Sequence, residues 1–358
     1  MGAQWGNNIK LTIFGESHGK GIGIVIDGIK PGVKLDLDYI KKQMRRRAPG
    51  RNSFSTSRKE TDEVEILSGI VDTMTTGAPI CGFIKNEDKK SKDYSILKEV
   101  MRPGHSDYPA TIKYSGKNDV RGGGHFSGRL TAPLVFAGSI ARQILQEKGI
   151  EIAGHIFSIG NIIADNTEPN LKKLREICEK EFPVADETTE KSMKNLIEKV
   201  RMKQNSVGGV IECLAFGVPA GIGDPFFNSL ESTISHIMFS IPAVKGIEFG
   251  KGFEFSNMLG SDANDEYYFN GTEIKTYTNN NGGILGGISN GMPLDMKVVI
   301  KPTPSIGKKQ RTVNIKQQQN CELEIKGRHD PCIVPRAVVV VESVLALAIL
   351  DQLGGCND

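Results

Sequence analysis

The sequence has few aromatic side chains and almost no net charge. Phe, Trp and Tyr make up 6% of the 358 residues, and the formal net charge is only +3. Nucleic-acid surfaces usually combine a basic excess with interleaved aromatic residues. The composition therefore argues against a nucleic-acid-binding protein, which only the basic run at residues 41–51 favours.

Common cofactor, metal and export motifs are also absent. The sequence contains no P-loop, no Rossmann glycine fingerprint after a strand, no C-x-x-C pair and no zinc-like His/Cys spacing. Residues 1–10 lack the apolar segment of a secretory signal. Because the six cysteines are scattered, they are typical of a reducing compartment. We therefore expect a cytoplasmic protein without a metal centre.

No uninterrupted apolar run is long enough to suggest a membrane span. The longest apolar stretch, residues 334–350, contains Pro335, Arg336 and Glu342. A spanning helix needs about 20 predominantly apolar residues. The stretch therefore predicts a buried helix and no membrane association.

The chain has no Pro-rich or Ser-rich linker that would separate two domains. Asp36 is the expected N-cap of the first predicted helix, at 37–47. We predict strands at 9–14, 22–26, 64–70, 79–84, 150–156, 209–216, 246–249, 296–300 and 323–325, and helices at 37–47, 131–148, 228–239 and 334–353. This alternation predicts an α+β fold with one large body over residues 1–358 and a peripheral Lys/Glu-rich helical region at about 165–206. The repeated Lys-Gly-Ile-Glu at 148–151 and 245–248 indicates either two related halves or coincidence.

Polar side chains cluster beside glycine or proline in several predicted loops. Histidine exchanges protons near neutral pH, so His18 and His105 are candidate acids or bases, although turn histidines bonded to backbone would look the same. Arginine forks bind carboxylates and phosphates, so many loop arginines in a nearly neutral chain predict a pocket for a small polyanion. For the arginines at 45–47, a solvated helix end stays open as the alternative. The polar loops lie at 15–19, 102–107, 121–129, 301–305 and 328–331.

Taken in order, these segments resemble the chorismate synthase family. The resemblance covers nearly the whole chain and rests on collinear motifs at 15–19, 45–50, 102–105, 121–124, 223–225, 243–246, 282–287, 301–303 and 328–332. It implies a single α+β body with helices sandwiched between sheets, an internal pseudo-two-fold repeat and assembly as a homotetramer. It also implies a 1,4-anti-elimination that converts 5-enolpyruvylshikimate 3-phosphate to chorismate and phosphate, the last step of the shikimate pathway to aromatic amino acids. Reduced FMN would assist without net redox change.

The resemblance also implies roles for individual residues. His18 would protonate the leaving phosphate, His105 would balance charge beside the reduced flavin, and Asp330 would help to remove the C6 proton. The expected substrate contacts are Ser17, Arg46, Arg102, Arg121 and Arg129. The expected flavin contacts are Arg46, His125, Phe126, Ser127, Ala243, Gly286, Lys301, Pro302, Thr303, Pro304, Ser305 and Arg328. Arg46 also matches a position associated with NADPH, and the sequence leaves open whether NADPH or a separate flavin reductase supplies the electrons.

The sequence departs from the usual family pattern at three places. His125 replaces an arginine and Leu130 replaces a glutamate, while Pro242 replaces an asparagine and Ala48 is an extra residue after the arginine triplet. A neutral imidazole is a weaker phosphate partner than a fixed cation. These changes leave two alternatives open: a flavin oxidoreductase that acts on a phosphorylated anion, and a non-enzymatic anion- or flavin-binding relic. The presence of His18, His105 and Asp330 argues against the relic.

Overall fold

The computed structural model describes residues 2–50, 61–87, 96–164, 170–325 and 330–354. Its strands are β1 (Gln4–Trp5), β2 (Lys10–Gly15), β3 (Gly21–Asp27), β4 (Glu65–Ser68), β5 (Ile70–Val71), β6 (Met74–Thr75), β7 (Ile80–Lys85), β8 (Glu151–Ile159), β9 (Ile162–Ile163), β10 (Gly209–Phe216), β11 (Val244–Phe249), β12 (Tyr267–Asn270), β13 (Glu273–Thr276), β14 (Ile284–Leu285), β15 (Ile288–Ser289), β16 (Leu294–Ile300), β17 (Gln310–Asn314) and β18 (Gln319–Leu323). Its α-helices are α1 (Leu37–Arg47), α2 (Asp107–Lys113), α3 (Thr131–Glu147), α4 (Leu171–Cys178), α5 (Glu187–Met202), α6 (Leu230–Met238), α7 (Gly260–Ala263) and α8 (Val334–Gln352).

Two five-stranded antiparallel sheets enclose a layer of helices. The first sheet has the order β1-β2-β3-β7-β4 and the second has the order β11-β16-β10-β8-β9. Helix α3 packs its Phe136 ring against Gly82 of the first sheet, and α8 packs against Gly154 of the second. The two helices approach closely where Gly138 meets Ser343, because a Cβ on Gly138 would lie 2.2 Å from the Ser343 Cβ. This layering confirms the expected α+β sandwich.

The two halves of the sandwich repeat one topology. With the elements inserted between them left aside, the matching elements of each half follow the order strand, strand, helix, strand, strand, helix. They are β2, β3, α1, β4, β7, α3 in the first half and β8, β10, α6, β11, β16, α8 in the second. Both sets of four strands have the spatial order first, second, fourth, third. The first helix of each set also packs against the last, α1 on α3 and α6 on α8. The internal repeat therefore lies in the arrangement of the elements.

The repeated Lys-Gly-Ile-Glu sequence does not come from this structural repeat. Residues 148–151 lead into β8, which is the first strand of the second half. Residues 245–248 lie in β11, which is the third strand of the same half. The two copies occupy non-equivalent positions, so their similarity is a coincidence.

The long elements agree with the sequence predictions, and the short ones account for the errors. The Asp36 side chain caps α1 by accepting from the backbone N–H groups of Asp38 and Tyr39. The described part of the Lys/Glu-rich region forms α4 and α5. The strand predicted at 323–325 was wrong, because β18 ends at Leu323 and pairs with β17, which was not predicted. Among the described residues, no helix has both the length and the apolarity needed to cross a membrane.

Candidate active site

A cavity of about 1360 Å³ lies where loops of both halves meet. Two of these loops are equivalent in the repeat, because each connects the fourth strand of its half to the final helix. The first, between β7 and α3, carries Arg102, His105 and the glycines from Gly122, and the second, between β16 and α8, carries Lys301 and Asp330. They are joined directly, since the Lys301 ammonium donates to the Gly104 carbonyl. The cavity is larger than the usual range of roughly 300–1,000 Å³ for small-molecule pockets, which leaves room for two ligands.

A glycine loop separates the two histidine rings at the cavity wall. Gly122, Gly123 and Gly124 all have positive φ angles, at 59°, 86° and 54°. A Cβ on Gly122 would lie 2.2 Å from the His18 ring, and a Cβ on Gly123 would lie 3.2 Å from the His105 ring. Only glycine combines this backbone conformation with so close an approach. The loop therefore sets the positions of both rings.

The His105 ring is oriented by a buried carboxylate. Asp107 Oδ1 lies 2.7 Å from His105 Nδ1, and both Asp107 oxygens accept from the Arg102 guanidinium at 2.7 Å. Burial alone would raise the pKa of Asp107, but the hydrogen bonds from Arg102 and His105 outweigh it and hold that pKa well below its usual range. An ionised Asp107 can only accept a hydrogen bond, so it orients the His105 ring with Nδ1 towards the carboxylate and Nε2 towards Gly123.

A chain of charged side chains crosses from one half of the molecule to the other. Asp330 pairs with Arg336 at 2.6 Å, and Arg336 also donates to the backbone carbonyl of Arg47. The Arg47 guanidinium pairs in turn with Asp62, which is shared with Arg129. Burial lowers the pKa of Arg47 to about 10, which leaves it charged at neutral pH. The cavity wall therefore presents arginines whose positions are held by internal carboxylates.

Most of the residues singled out from the sequence lie on this cavity. The three expected catalytic residues line it, and so do most of the expected ligand contacts: His18, His105, Asp330, Arg102, Arg129, His125, Phe126, Ser127, Ala243, Lys301, Thr303, Pro304 and Ser305. Some of these segments are tied together, since the Thr303 hydroxyl donates to the Asp330 carbonyl at 2.9 Å. His125 Nδ1 donates to the Gly15 carbonyl at 2.8 Å.

The structure does not bring the other expected contacts to the cavity wall. Arg46 is paired with Glu342 at 2.5 Å, and Arg121 is paired with Asp119 at the surface. Gly286 lies in the turn between β14 and β15, while Pro302 packs beside Gly208. Ser17 is fully buried next to Gly122, and within the described part of the chain its hydroxyl has no hydrogen-bond partner. Arg328 lies outside the described residues.

The cavity includes arginines that the sequence analysis did not assign to a site. Arg47 and Arg336 line it, in place of Arg46. A signal was present for Arg47, because it shares a helical face with Ile40 and Met44, and all three are buried. Adjacent helical residues point about 100° apart, so Arg46 turns away from the cavity. No local pattern marks Asp62, which precedes β4 in a segment without periodicity.

The residues at the cavity suit a flat anionic cofactor together with an anionic substrate. Apolar side chains such as Ile13, Leu134 and Val340 form part of the wall, and arginine and lysine side chains form another part. The buried Ser17 hydroxyl lies beside Gly122, near the His18 ring. Among the described residues, no cluster of side chains could hold a metal ion. The fold and the site thus define an α+β enzyme that binds large anions and has acid–base groups at its cavity wall.

Comparisons with known proteins identify the family. The sequence model described as chorismate synthase matches residues 9–353. The chain is 45% identical over 352 residues to a chorismate synthase of Dehalococcoides mccartyi. The alignment covers 98% of this chain and 96% of the relative. It is also 45% identical over 361 residues to the chorismate synthase of Methanocaldococcus jannaschii. That alignment covers 98% of this chain and 95% of the relative. A chorismate synthase crystal structure superimposes with a TM-score of 0.76 and 30% identity, covering 98% of this chain and 92% of that one.

The chain belongs to the chorismate synthase family. It is a lyase whose reaction is the elimination of phosphate from 5-enolpyruvylshikimate 3-phosphate to give chorismate. The family needs a reduced flavin for this reaction.

Proposed function

We propose that this chain binds reduced FMN and 5-enolpyruvylshikimate 3-phosphate together in the cavity and catalyses a 1,4-anti-elimination without net redox change. The observation that carries the proposal is the convergence of His18, His105 and Asp330 on one cavity lined by arginines. The substrate carries two carboxylates and a phosphate, which is the charge pattern that such a wall attracts. When bound, reduced FMN supplies transient electron density that assists loss of the poorly acidic C6 proton.

The protein residues have separate tasks in this proposal. His18 protonates the leaving phosphate, and Asp330 accepts the C6 proton. His105, oriented by Asp107, stabilises the charge of the reduced cofactor. Arg102 and Arg129 contact the substrate anions, while the segment from Lys301 to Ser305 and the segment from His125 to Ser127 hold the flavin. Arg46 is left out of this set because it is paired with Glu342.

Assembly and electron supply are further parts of the proposal. We propose that residues 1–358 act as one domain, since one core cluster extends through both sheets. Self-association as a homotetramer is supported by solvent-exposed aromatic side chains in the second half, where Phe227 is 95% and Phe253 is 85% exposed. We place the protein in the cytoplasm, where either NADPH or a separate flavin reductase would reduce the cofactor.

An anaerobic turnover experiment tests the proposed function. The purified protein is mixed with chemically reduced FMN and 5-enolpyruvylshikimate 3-phosphate, and phosphate, chorismate and the flavin spectrum are followed. We expect both products in equal amounts, with the flavin still reduced at the end. Oxidised FMN alone is the control, and oxidised FMN with NADPH decides between the two electron sources. Flavin oxidation in step with product would contradict the elimination.

The His18→Ala variant tests the proposed acid. We expect the rate to fall by about 10²–10⁴-fold, the usual contribution of a general acid or base, with little change in FMN affinity. The matched control is His236→Ala, which removes an exposed imidazole from α6 and should leave the rate unchanged. Near-normal turnover of the His18 variant would remove this residue from the mechanism.

A further inference from the structure

Two buried carboxylates in this chain each bridge a pair of arginines. Asp62 joins Arg47 to Arg129, and Glu342 joins Arg46 to Arg142. Both carboxylate side chains have 0% exposure. The two clusters differ in position, because the arginines of Asp62 line the cavity and those of Glu342 do not.

Each oxygen of Asp62 serves a different arginine. Oδ2 accepts from Arg47, at 2.8 Å from Nε and 2.6 Å from Nη2, and Oδ1 accepts from Arg129 Nη1. Two further acceptors hold the Arg129 guanidinium. Its Nε donates to Asn86 Oδ1 at 3.2 Å, and its Nη2 donates to the Lys85 carbonyl at 3.3 Å. The orientation of both guanidinium planes is therefore set from behind the cavity wall.

The electrostatics of the cluster favour a positioning role. Two guanidinium groups at one wall repel each other, and an ionised carboxylate between them offsets that repulsion. Burial raises the pKa of Asp62, but Arg47 and Arg129 outweigh burial and lower it below its usual range. Two arginines and one carboxylate leave a net single positive charge at the wall. The cluster thus still attracts an anion.

We propose that Asp62 is a positioning residue for the family's reaction, which holds Arg47 and Arg129 side by side so that both face one anionic group of the substrate. Asp62 itself does not touch the ligand, because its side chain lies behind the two arginines with no exposed surface. The inference rests on the proposed role of Arg129 as a substrate contact. A binding role that is equal in ground and transition states affects KM rather than kcat.

The Asp62→Asn variant is the direct test. Asp62 has a φ of 52°, and asparagine tolerates this left-handed conformation, so the exchange removes the charge without straining the backbone. We expect the KM for 5-enolpyruvylshikimate 3-phosphate, measured with saturating reduced FMN, to rise about 10-fold or more, with kcat within a few-fold of the wild type. The matched control is Glu342→Gln, which should lower the melting temperature and leave KM unchanged.

Two further variants keep the test decisive. If Asp62→Asn does not fold, Asp62→Glu keeps the charge but displaces both guanidiniums, and its KM should rise at least threefold. Arg129→Gln separates the two levels of the argument: a raised KM there with an unchanged KM in the folded Asp62 variant overturns the positioning role alone. An unchanged KM in Arg129→Gln overturns the proposed contact between Arg129 and the substrate. It also overturns the proposal that Arg47 and Arg129 face the same anionic group. A weaker binding of oxidised FMN at unchanged substrate KM would also overturn the assignment.

Discussion

At the scale of single residues, the geometry of the candidate active site depends on glycines, which have no side chain. The His18 ring lies where a Cβ on Gly122 would have to be, and the backbone of that glycine is left-handed. Both conditions exclude other residues, the first by contact and the second by backbone strain. The glycine is thus as much part of the proposed catalytic geometry as the histidine.

Replacing Gly122 by alanine should therefore damage catalysis more than stability. Left-handed backbone costs an ordinary residue about 1–2 kcal/mol, and the new Cβ would in addition displace the His18 ring. A displacement of about 1 Å can reduce the rate by roughly 10²-fold. We expect that loss in kcat, measured beside the free energy of unfolding.

Gly116→Ala is the control for backbone strain alone. Gly116 has a similar φ of 69°, but nothing lies within 4 Å of its would-be Cβ. It should lose a similar amount of stability and keep its turnover. Equal rates for the two variants would contradict the contact between Gly122 and His18.

The sequence motifs predicted the types of residue that line the cavity better than they predicted the individual residues. His18, His105 and Asp330 stand out because titratable side chains beside glycine or proline mark loops. The arginine triplet did not reveal which member faces the cavity, because that depends on how α1 is rotated against α3 and α8. The rotation follows from the buried face of Ile40 and Met44, and it places Arg47 at the wall.

At the scale of elements, the C-terminal end of α8 anchors the N-terminal segment of the chain. Asp351 Oδ1 accepts from the backbone N–H groups of Asn7, Asn8 and Ile9 at 2.9, 2.7 and 2.9 Å. A negative charge is unfavourable at a helix C-terminus, and these three donors offset it. The anchored turn leads back to β1, whose Gln4 and Trp5 line the cavity.

We expect Asp351→Ala to lower the free energy of unfolding by about 2–3 kcal/mol, because three charge-assisted hydrogen bonds are lost and the buried Ile9 N–H is left unpaired. Denaturant titration measures this loss. Glu198→Ala, which removes an exposed surface ion pair with Arg201, is the comparison and should leave the free energy of unfolding nearly unchanged. If both variants lost a similar amount of unfolding free energy, the hydrogen bonds of Asp351 would contribute no more to stability than an exposed ion pair.

The elements that sequence analysis missed are short and lack a periodic pattern. The hairpin of β17 and β18 is mostly polar and partly exposed, and β17 is held by contacts with residues far away in the chain. Thr312 donates to the Met101 carbonyl across 211 residues, and Met101 N donates to Val313 O. Propensity reflects only local sequence, so such a pairing is not visible in it.

At the scale of the whole molecule, Glu342 ties the two repeats together. Its carboxylate lies on α8 and accepts from Arg46 on α1, from Arg142 on α3 at 2.8 Å, and from the N–H of Gly154 at 2.9 Å. Burial alone would raise the pKa of Glu342, but the two arginines hold it below its usual range. The cluster therefore stabilises the fold only while the carboxylate is ionised.

The stabilisation by Glu342 should depend on pH in a defined direction. Its pKa is lower in the folded than in the unfolded chain, so the contribution is complete above the unfolded value of about 4.3 and is lost as the pH falls through the folded value. Glu342→Gln should be less stable by about 3–5 kcal/mol at pH 7, because two buried arginines lose their counter-ion. Urea titrations at pH 7, 5 and 3.5 should show this gap narrowing only at the lowest pH. A gap that stays constant would contradict the ionised cluster.

The sequence by itself determined the broad class of the protein. From its absent motifs we expected no metal centre, no Rossmann dinucleotide fold and no membrane span. Its long periodic segments predicted the main helices and strands, and its glycine-flanked histidines marked loops of the candidate site. These features are local, since backbone conformation and helix burial depend on neighbouring residues.

Only the tertiary structure decided which charges meet and where the two halves repeat. Arg46 and Glu342 are 296 residues apart in the chain, and two of the loops that line the cavity come from equivalent positions of two halves without a shared sequence motif. Pairing of buried charges depends on the packing of helices and sheets, because burial makes each charge unfavourable unless its partner arrives with it. The positions of Asp62, Arg47 and Arg336 follow from that packing.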